Sequence, residues 1–363
     1  MNAGDVVSGR YEIASRIGQG GMQEVFKATD RVVDRQVAVK TPLEGQTHRR
    51  FKQSAILAAR VNNHGIAKTL DYFEENDRPF LVEEFVEGET LDKAIIEFAG
   101  YVDPPLAAIL FGKLAKGIRA SHHVGVVHRD LKPSNIMVTG GLSLDAVKIT
   151  DFGIATLAKE IVDQEIEENV DITKSTSGTV KGAIPFMSPE MLFRKPGQHI
   201  DSPADIWSLG CIMFYACTGR HPFGVGMDAV LAIGTGERLP WSKFMTSNAQ
   251  FQPVAEALQT LIERCLDPNP SSRPSADTLS QELSELCVFS SPRFGGIISS
   301  RHPNYAKVFF IENDNGGSTM LHKDSVFGPN SPELDKRVVF ASFPGNPQAR
   351  AFPVLVQRAK PEA

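Results

Sequence analysis

In this chain of 363 residues, the run His128-Arg129-Asp130-Leu131-Lys132-Pro133-Ser134-Asn135, followed by Asp151-Phe152-Gly153, constrains fold and chemistry more than any other stretch. Asp130 is a carboxylate able to orient a hydroxyl and take its proton. Lys132 is spaced to meet a transferred phosphate, and Asn135 to hold a divalent cation through its amide oxygen. Asp151 adds a second metal-binding oxygen. The flanking runs GVVHRDLKPSNIMV and AVKITDFG are short apolar stretches about a turn, as two small strands bracketing a loop would be. A motif gains weight from such a context.

These residues resemble the eukaryotic-like serine/threonine protein kinases of bacteria, from about Tyr11 to about Leu286. The resemblance implies an α+β chain with a two-lobed protein kinase fold and with ATP and Mg²⁺ bound between the lobes. The expected small lobe spans 1–86, with a glycine-rich loop, a strand lysine and one helix; the large lobe spans 87–288. It implies Asp130 as catalytic base, Lys132 on the γ-phosphate, Lys40 on the α- and β-phosphates, and Asn135 and Asp151 on Mg²⁺. Ile17, Gly18, Gly20, Val25, Ala38, Lys40, Glu84, Val86 and Met137 are the implied nucleotide-binding residues. Lys132 also matches the serine/threonine members, and the implied partner is a protein substrate. His128 is expected to pack on Phe152, Asp205 to brace the catalytic loop, and Glu190 to pair with Arg273. Arg129 is expected to meet phosphate on the polar segment after Gly153. There Thr179, then Thr173, Ser175, Thr176 and Ser177, are candidate phosphorylation sites.

Four positions depart from the family pattern. Gln23 stands for the third glycine, Ala183 for a threonine that ties the substrate segment to the catalytic residues, and Ser54 for the helix glutamate that should pair with Lys40. At the fourth, Glu83 replaces the bulky apolar residue behind the adenine pocket. A buried ammonium without its partner recruits another anion or loses its proton. Glu83 either pairs with Lys40 or turns to solvent at a strand end. Together the departures leave an alternative function, a nucleotide-binding pseudokinase scaffold that regulates the C-terminal part.

That part, 289–363, alternates apolar runs with Gly, Pro and Asn, and five short strands are expected in it, closing into a small all-β barrel. It resembles the cold-shock type of OB-fold, which implies stacking of single-stranded nucleic acid on Tyr305, Phe309, His322 and Phe327, although alternation means some of these fill the barrel. A protein-docking, autoregulatory or merely stabilising barrel is the other reading. Residues 293–363 hold 9 Lys/Arg against 6 Asp/Glu, while residues 1–292 hold 29 against 37. No apolar run reaches the roughly 18 residues of a membrane span, and the longest, Ile206 to Cys217, reads as a buried helix. No secretory signal is seen, so a cytoplasmic protein without membrane partners is expected. Cys211, Cys217, Cys265 and Cys287 form no close pair and read as reduced core residues, and the adjacent His122 and His123 point to different helix faces rather than to one metal.

Overall fold

The structure is a computed structural model that describes residues 1–19, 23–43, 48–152, 182–195, 198–286, 288 and 291–358. Six strands open the chain: β1 (Val6–Val7), β2 (Tyr11–Gln19), β3 (Gln23–Asp30), β4 (Arg35–Pro42), β5 (Thr69–Glu75) and β6 (Arg78–Glu84). They form one antiparallel sheet in the order β1-β2-β3-β4-β6-β5. Strand side chains alternate between faces. One face therefore gathers Tyr11, Ile13, Phe26, Val37, Val39, Phe80 and Val82 into a small core. The opposite face of β4 and β6 carries Ala38, Lys40, Leu81 and Glu83 at adjacent register positions. The helix α1 (His48–Ala59) lies against β5 and β6.

Beyond 85–88 come β7 (Glu89–Thr90) and the helix α2 (Pro104–His123). Asp103 caps α2 by accepting from Leu106 N at 3.2 Å, and Pro104 and Pro105 occupy the first turn, where no N–H partner is needed. The short strands β8 (Ile136–Thr139) and β9 (Ala146–Ile149) join β7 in a three-stranded sheet. Besides the one-turn helix Pro189–Leu192, the described residues of this part hold four longer helices, α3 (Pro203–Thr218), α4 (Gly226–Thr235), α5 (Gln252–Cys265) and α6 (Ala276–Glu285). α3 is buried along nearly its whole length between α2 and α5, as expected for Ile206 to Cys217. Gly210 permits that approach, since a Cβ there would stand 2.8 Å from Cys265 Cβ. Cys211, Cys217 and Cys265 are buried and free, and burial pushes the thiols of Cys217 and Cys265 up to about 12. Cys287 lies outside the described residues. Among the described residues, no helix is long and apolar enough to cross a membrane.

The last five strands are β10 (Arg293–Arg301), β11 (Val308–Asn313), β12 (Ser318–His322), β13 (Arg337–Phe343) and β14 (Arg350–Val356). They close into a barrel in the order β10-β11-β12-β14-β13, antiparallel except where β12 meets β14. Closure leaves no free sheet edge. Ile298, Phe309, Ile311, Leu321, Val338 and Phe340 fill it. The barrel is packed onto the helical part: Phe327 and Leu355 share a core with α2 and α3. Phe327 meets Tyr101, Phe244 and Phe251 edge-on. At the same seam the buried Arg293 Nη2 donates to the buried Asp103 Oδ1 at 2.8 Å. Two of the four aromatics expected to stack bases are thereby corrected. Phe309 lies inside the barrel and Phe327 in the seam, whereas Tyr305 is 64% exposed and the His322 side chain is 42% exposed.

Candidate active site

Three strands and two loops build the site. On β4, Lys40 stands opposite Leu81 of β6, and Glu83 stands opposite Ala38, so Lys40 and Glu83 are diagonal neighbours on one face. Both are buried, and Lys40 Nζ donates to Glu83 Oε2 at 2.5 Å. Of the two orientations open to Glu83 from sequence, the structure has the inward one. Lys40 Nζ also donates to Asp151 Oδ1 at 2.7 Å, and Gln23 Nε2, from the start of β3, donates to that same oxygen at 3.0 Å. One chain of hydrogen bonds thus runs from Glu83 through Lys40 and Asp151 to Gln23.

The charges in that chain respond unequally. Burial opposes the Lys40 ammonium, but Asp151 and Glu83 outweigh it and hold its pKa above the ordinary lysine range. Burial pushes the Glu83 carboxyl up, against the pull of Lys40. Asp151 is pushed up by burial too, but Lys40 and Gln23 overcome this and hold it below the ordinary carboxylate range. Of the two carboxylates on Lys40, Asp151 is the one whose ionised form is favoured. Its backbone is left-handed (φ 62°), a conformation uncommon outside glycine.

Across the cleft, Lys132 Nζ donates to Asp130 at 2.8 and 3.1 Å. Asn135 Nδ2 donates to Asp130 O at 2.8 Å and to Asp130 Oδ2 at 3.0 Å. With its amide nitrogen committed, Asn135 has Oδ1 left as a ligand atom. Together with Asp151 this makes an all-oxygen donor set, which suits Mg²⁺. Asp205 anchors the loop. Its fully buried carboxylate accepts from His128 N at 2.8 Å, Arg129 N at 2.7 Å and His122 Nε2 at 2.9 Å. His128 packs edge-on against Phe152 and bonds Thr150 O, as a structural histidine should. His123 instead meets the exposed Asp277, so the adjacent histidines serve different partners. Arg129 donates to Ile200 O, and its buried Nε has no partner among the described residues.

The remaining predicted residues fall mostly on paired strands. Gly18 pairs with Val25 across the β2–β3 hairpin, Lys27 pairs with Ala38, and Met137 pairs with Thr90 just past the strand exit. Ile17 is half exposed at the rim. Glu84 N is committed to Lys68 O, which confines any main-chain contact from Glu84 to its carbonyl; the side chain binds Lys148 at 2.8 Å. Val86 is buried. Gly20, Gly153 and the candidate sites Thr173, Ser175, Thr176, Ser177 and Thr179 lie outside the described residues. Ser54 falls in α1, which has no acidic residue. Ala183 is buried and precedes the short turn Ile184–Phe186. Glu190 binds Arg273 through two bonds of 2.7 and 2.9 Å. Sequence reasoning missed Gln23 as a partner of Asp151. The one signal was an amide where the pattern asks for glycine.

A family model for the protein kinase domain matches residues 11–283. The chain belongs to the protein kinase family. Its similarity to a probable serine/threonine-protein kinase of Clostridium acetobutylicum is 32% identity over 294 residues, covering 78% of this kinase chain and 41% of the relative. It is 35% identical over 228 residues to the serine/threonine-protein kinase PrkC of Bacillus subtilis, covering 61% of this chain and 32% of that one. The chain thus spans well under half the length of these relatives. A crystal structure of Rad53 in complex with AMP-PNP shares the protein kinase fold with a TM-score of 0.57 at 22% identity, over 75% of this chain and 64% of that one.

Proposed function

We propose that this chain is an ATP-dependent serine/threonine protein kinase. The observation that carries the reading is the convergence of Lys132 and Asn135 on the Asp130 carboxylate, together with the hydrogen bond from Lys40 to Asp151. Asp130 orients a serine or threonine hydroxyl and accepts its proton as that oxygen bonds the γ-phosphorus. The bond from the γ-phosphorus to the bridging oxygen breaks, and ADP leaves with the electron pair. Lys132, already on Asp130, meets the moving phosphoryl group, and Lys40 holds the α- and β-phosphates. Asn135 and Asp151 would hold Mg²⁺, which supplies neutralising charge between the phosphates. Adenine would rest between Val25 and Ala38 above and Met137 below, against Glu84 and Val86. Loss of the threonine hydroxyl at Ala183 removes one tether on the substrate hydroxyl, which lowers the rate without removing ATP binding.

The test is incubation of the purified protein with MgATP beside Asp130→Asn, followed by phosphopeptide mass spectrometry. Phosphate on Thr179 or its neighbours in wild type alone is the expected result. MgATP binding with no phosphate on the protein or on a generic substrate would replace this reading with the pseudokinase scaffold.

For the barrel we infer an OB-like brace on the catalytic part rather than a nucleic-acid platform. Its support is Phe327 and Leu355 in the shared core and the loss of two of four stacking aromatics to the interior. A labelled single-stranded oligonucleotide retained at physiological salt, and released by Tyr305→Ala or His322→Ala, would overturn it.

A further inference from the structure

Two of the four departures from the family pattern, Gln23 and Glu83, meet in one hydrogen-bonded chain around Lys40 and Asp151. We propose that they make Asp151 an exchangeable metal ligand: Glu83 keeps Lys40 in position when Asp151 turns to the cation, and Gln23 holds Asp151 when no cation is bound. The proposal builds on the kinase reading above and assigns both residues positioning roles.

The geometry of Glu83 comes first. Lys40 and Glu83 sit on adjacent strands of one antiparallel ladder, so their separation is fixed by strand register. A partner carried on a helix could move away with that helix, whereas this one cannot. α1 offers no carboxylate to compete for the ammonium. The lysine is therefore aligned from within the sheet, wherever α1 lies.

Sharing is the second step. Asp151 Oδ1 accepts from both Lys40 and Gln23, so a cation that takes this oxygen displaces two donors. Lys40 is 4% exposed and cannot turn to water instead. With Glu83 present it keeps a charge-assisted bond. Without Glu83 a buried ammonium would be left unpaired, which is costly, and Lys40 would hold Asp151 against the cation.

Gln23 supplies the independent observation. Its side chain is more than nine-tenths buried, and Oε1 has no hydrogen-bond partner among the described residues. A buried amide half satisfied in this way is costly. When Asp151 turns away, Nε2 loses its acceptor as well, and neither amide atom keeps a partner among the described residues. Gln23 thus stabilises the cation-free arrangement, with the opposite sign to Glu83.

The opposite signs make the test. ATP is titrated calorimetrically into wild type, Glu83→Met and Gln23→Met over a series of free Mg²⁺ concentrations and in EDTA, with no turnover required. Glu83→Met is expected to raise the Mg²⁺ concentration for half-maximal enhancement of ATP binding about tenfold, the scale of one charge-assisted hydrogen bond. Gln23→Met is expected to lower it about threefold, less than a full charge-assisted bond because the same substitution also removes the unsatisfied Oε1. Binding in EDTA is expected to stay near the wild-type value in both. If both variants shift ATP binding equally with and without Mg²⁺, or if Glu83→Met leaves the Mg²⁺ requirement unchanged, the proposal is overturned. Should Glu83→Met fail to fold, Glu83→Gln keeps an acceptor for Lys40 without the full charge, and an unchanged Mg²⁺ requirement there overturns it equally. Wild-type MgATP binding without phosphoryl transfer would sink the kinase reading and leave this one standing. No Mg²⁺ enhancement in wild type sinks this one.

Discussion

Two buried polar clusters flank the cleft, and they are built to opposite ends. Around Asp205, one carboxylate accepts from two main-chain N–H groups and a histidine, all contributed by the loop it braces or by α2 beneath it. Around Lys40, one ammonium is divided between two carboxylates, and one of those is divided again with Gln23. The first cluster has one low-energy arrangement, and it fixes the loop. The second has donors and acceptors that can trade partners, as the proposed binding of a cation and phosphates would require.

The comparison can be broken by mutation. Asp205→Ala orphans two buried N–H groups and should cost ~3–5 kcal/mol in urea denaturation, with loss of phosphoryl transfer. Glu83→Met should cost less, ~1–3 kcal/mol, because Lys40 retains Asp151. Equal losses would mean that the Lys40 cluster is as rigid as the other. Acid titration sharpens the contrast. His122 and the N–H of Arg129 hold the Asp205 carboxyl below its ordinary range despite burial, so its contribution is present above about pH 4 and lost as pH falls. Burial raises Glu83, so its contribution is present below about pH 4.3 and is lost as pH rises through its folded value. The stability difference between wild type and Asp205→Asn should shrink on acidification. Glu83→Gln should gain on wild type as pH rises. Smallest of all, His123→Ala should change stability by no resolvable amount: its bond to Asp277 has the same 2.9 Å length as that of His122 to Asp205, but both partners are more than half exposed.

What the sequence revealed follows the same division. Asp130, Lys132 and Asn135 lie within one short run, so their convergence was legible as a motif, and five apolar runs announced the five barrel strands. The Gln23–Asp151 bond joins residues 128 positions apart, and no local pattern can announce it. Glu83 was legible as an anomaly, but its direction was not, because alternation fixes which residues share a face and not which face is inside. Phe309 went astray for that reason; Phe327 lies between β12 and β13, where no alternation applies, and is covered by Tyr101, Phe244 and Phe251.

The bond between Arg293 and Asp103 links residues 190 positions apart. Asp103 also caps the helix that leads to the catalytic loop. A ribosome makes that helix long before it makes the arginine, so the nascent catalytic part carries a carboxylate at its helix cap whose ionic partner has not yet been synthesised. Completion of the barrel is then the event that neutralises it, and a chain arrested before β10 would emerge with its catalytic helix built but its seam open to chaperones and proteases.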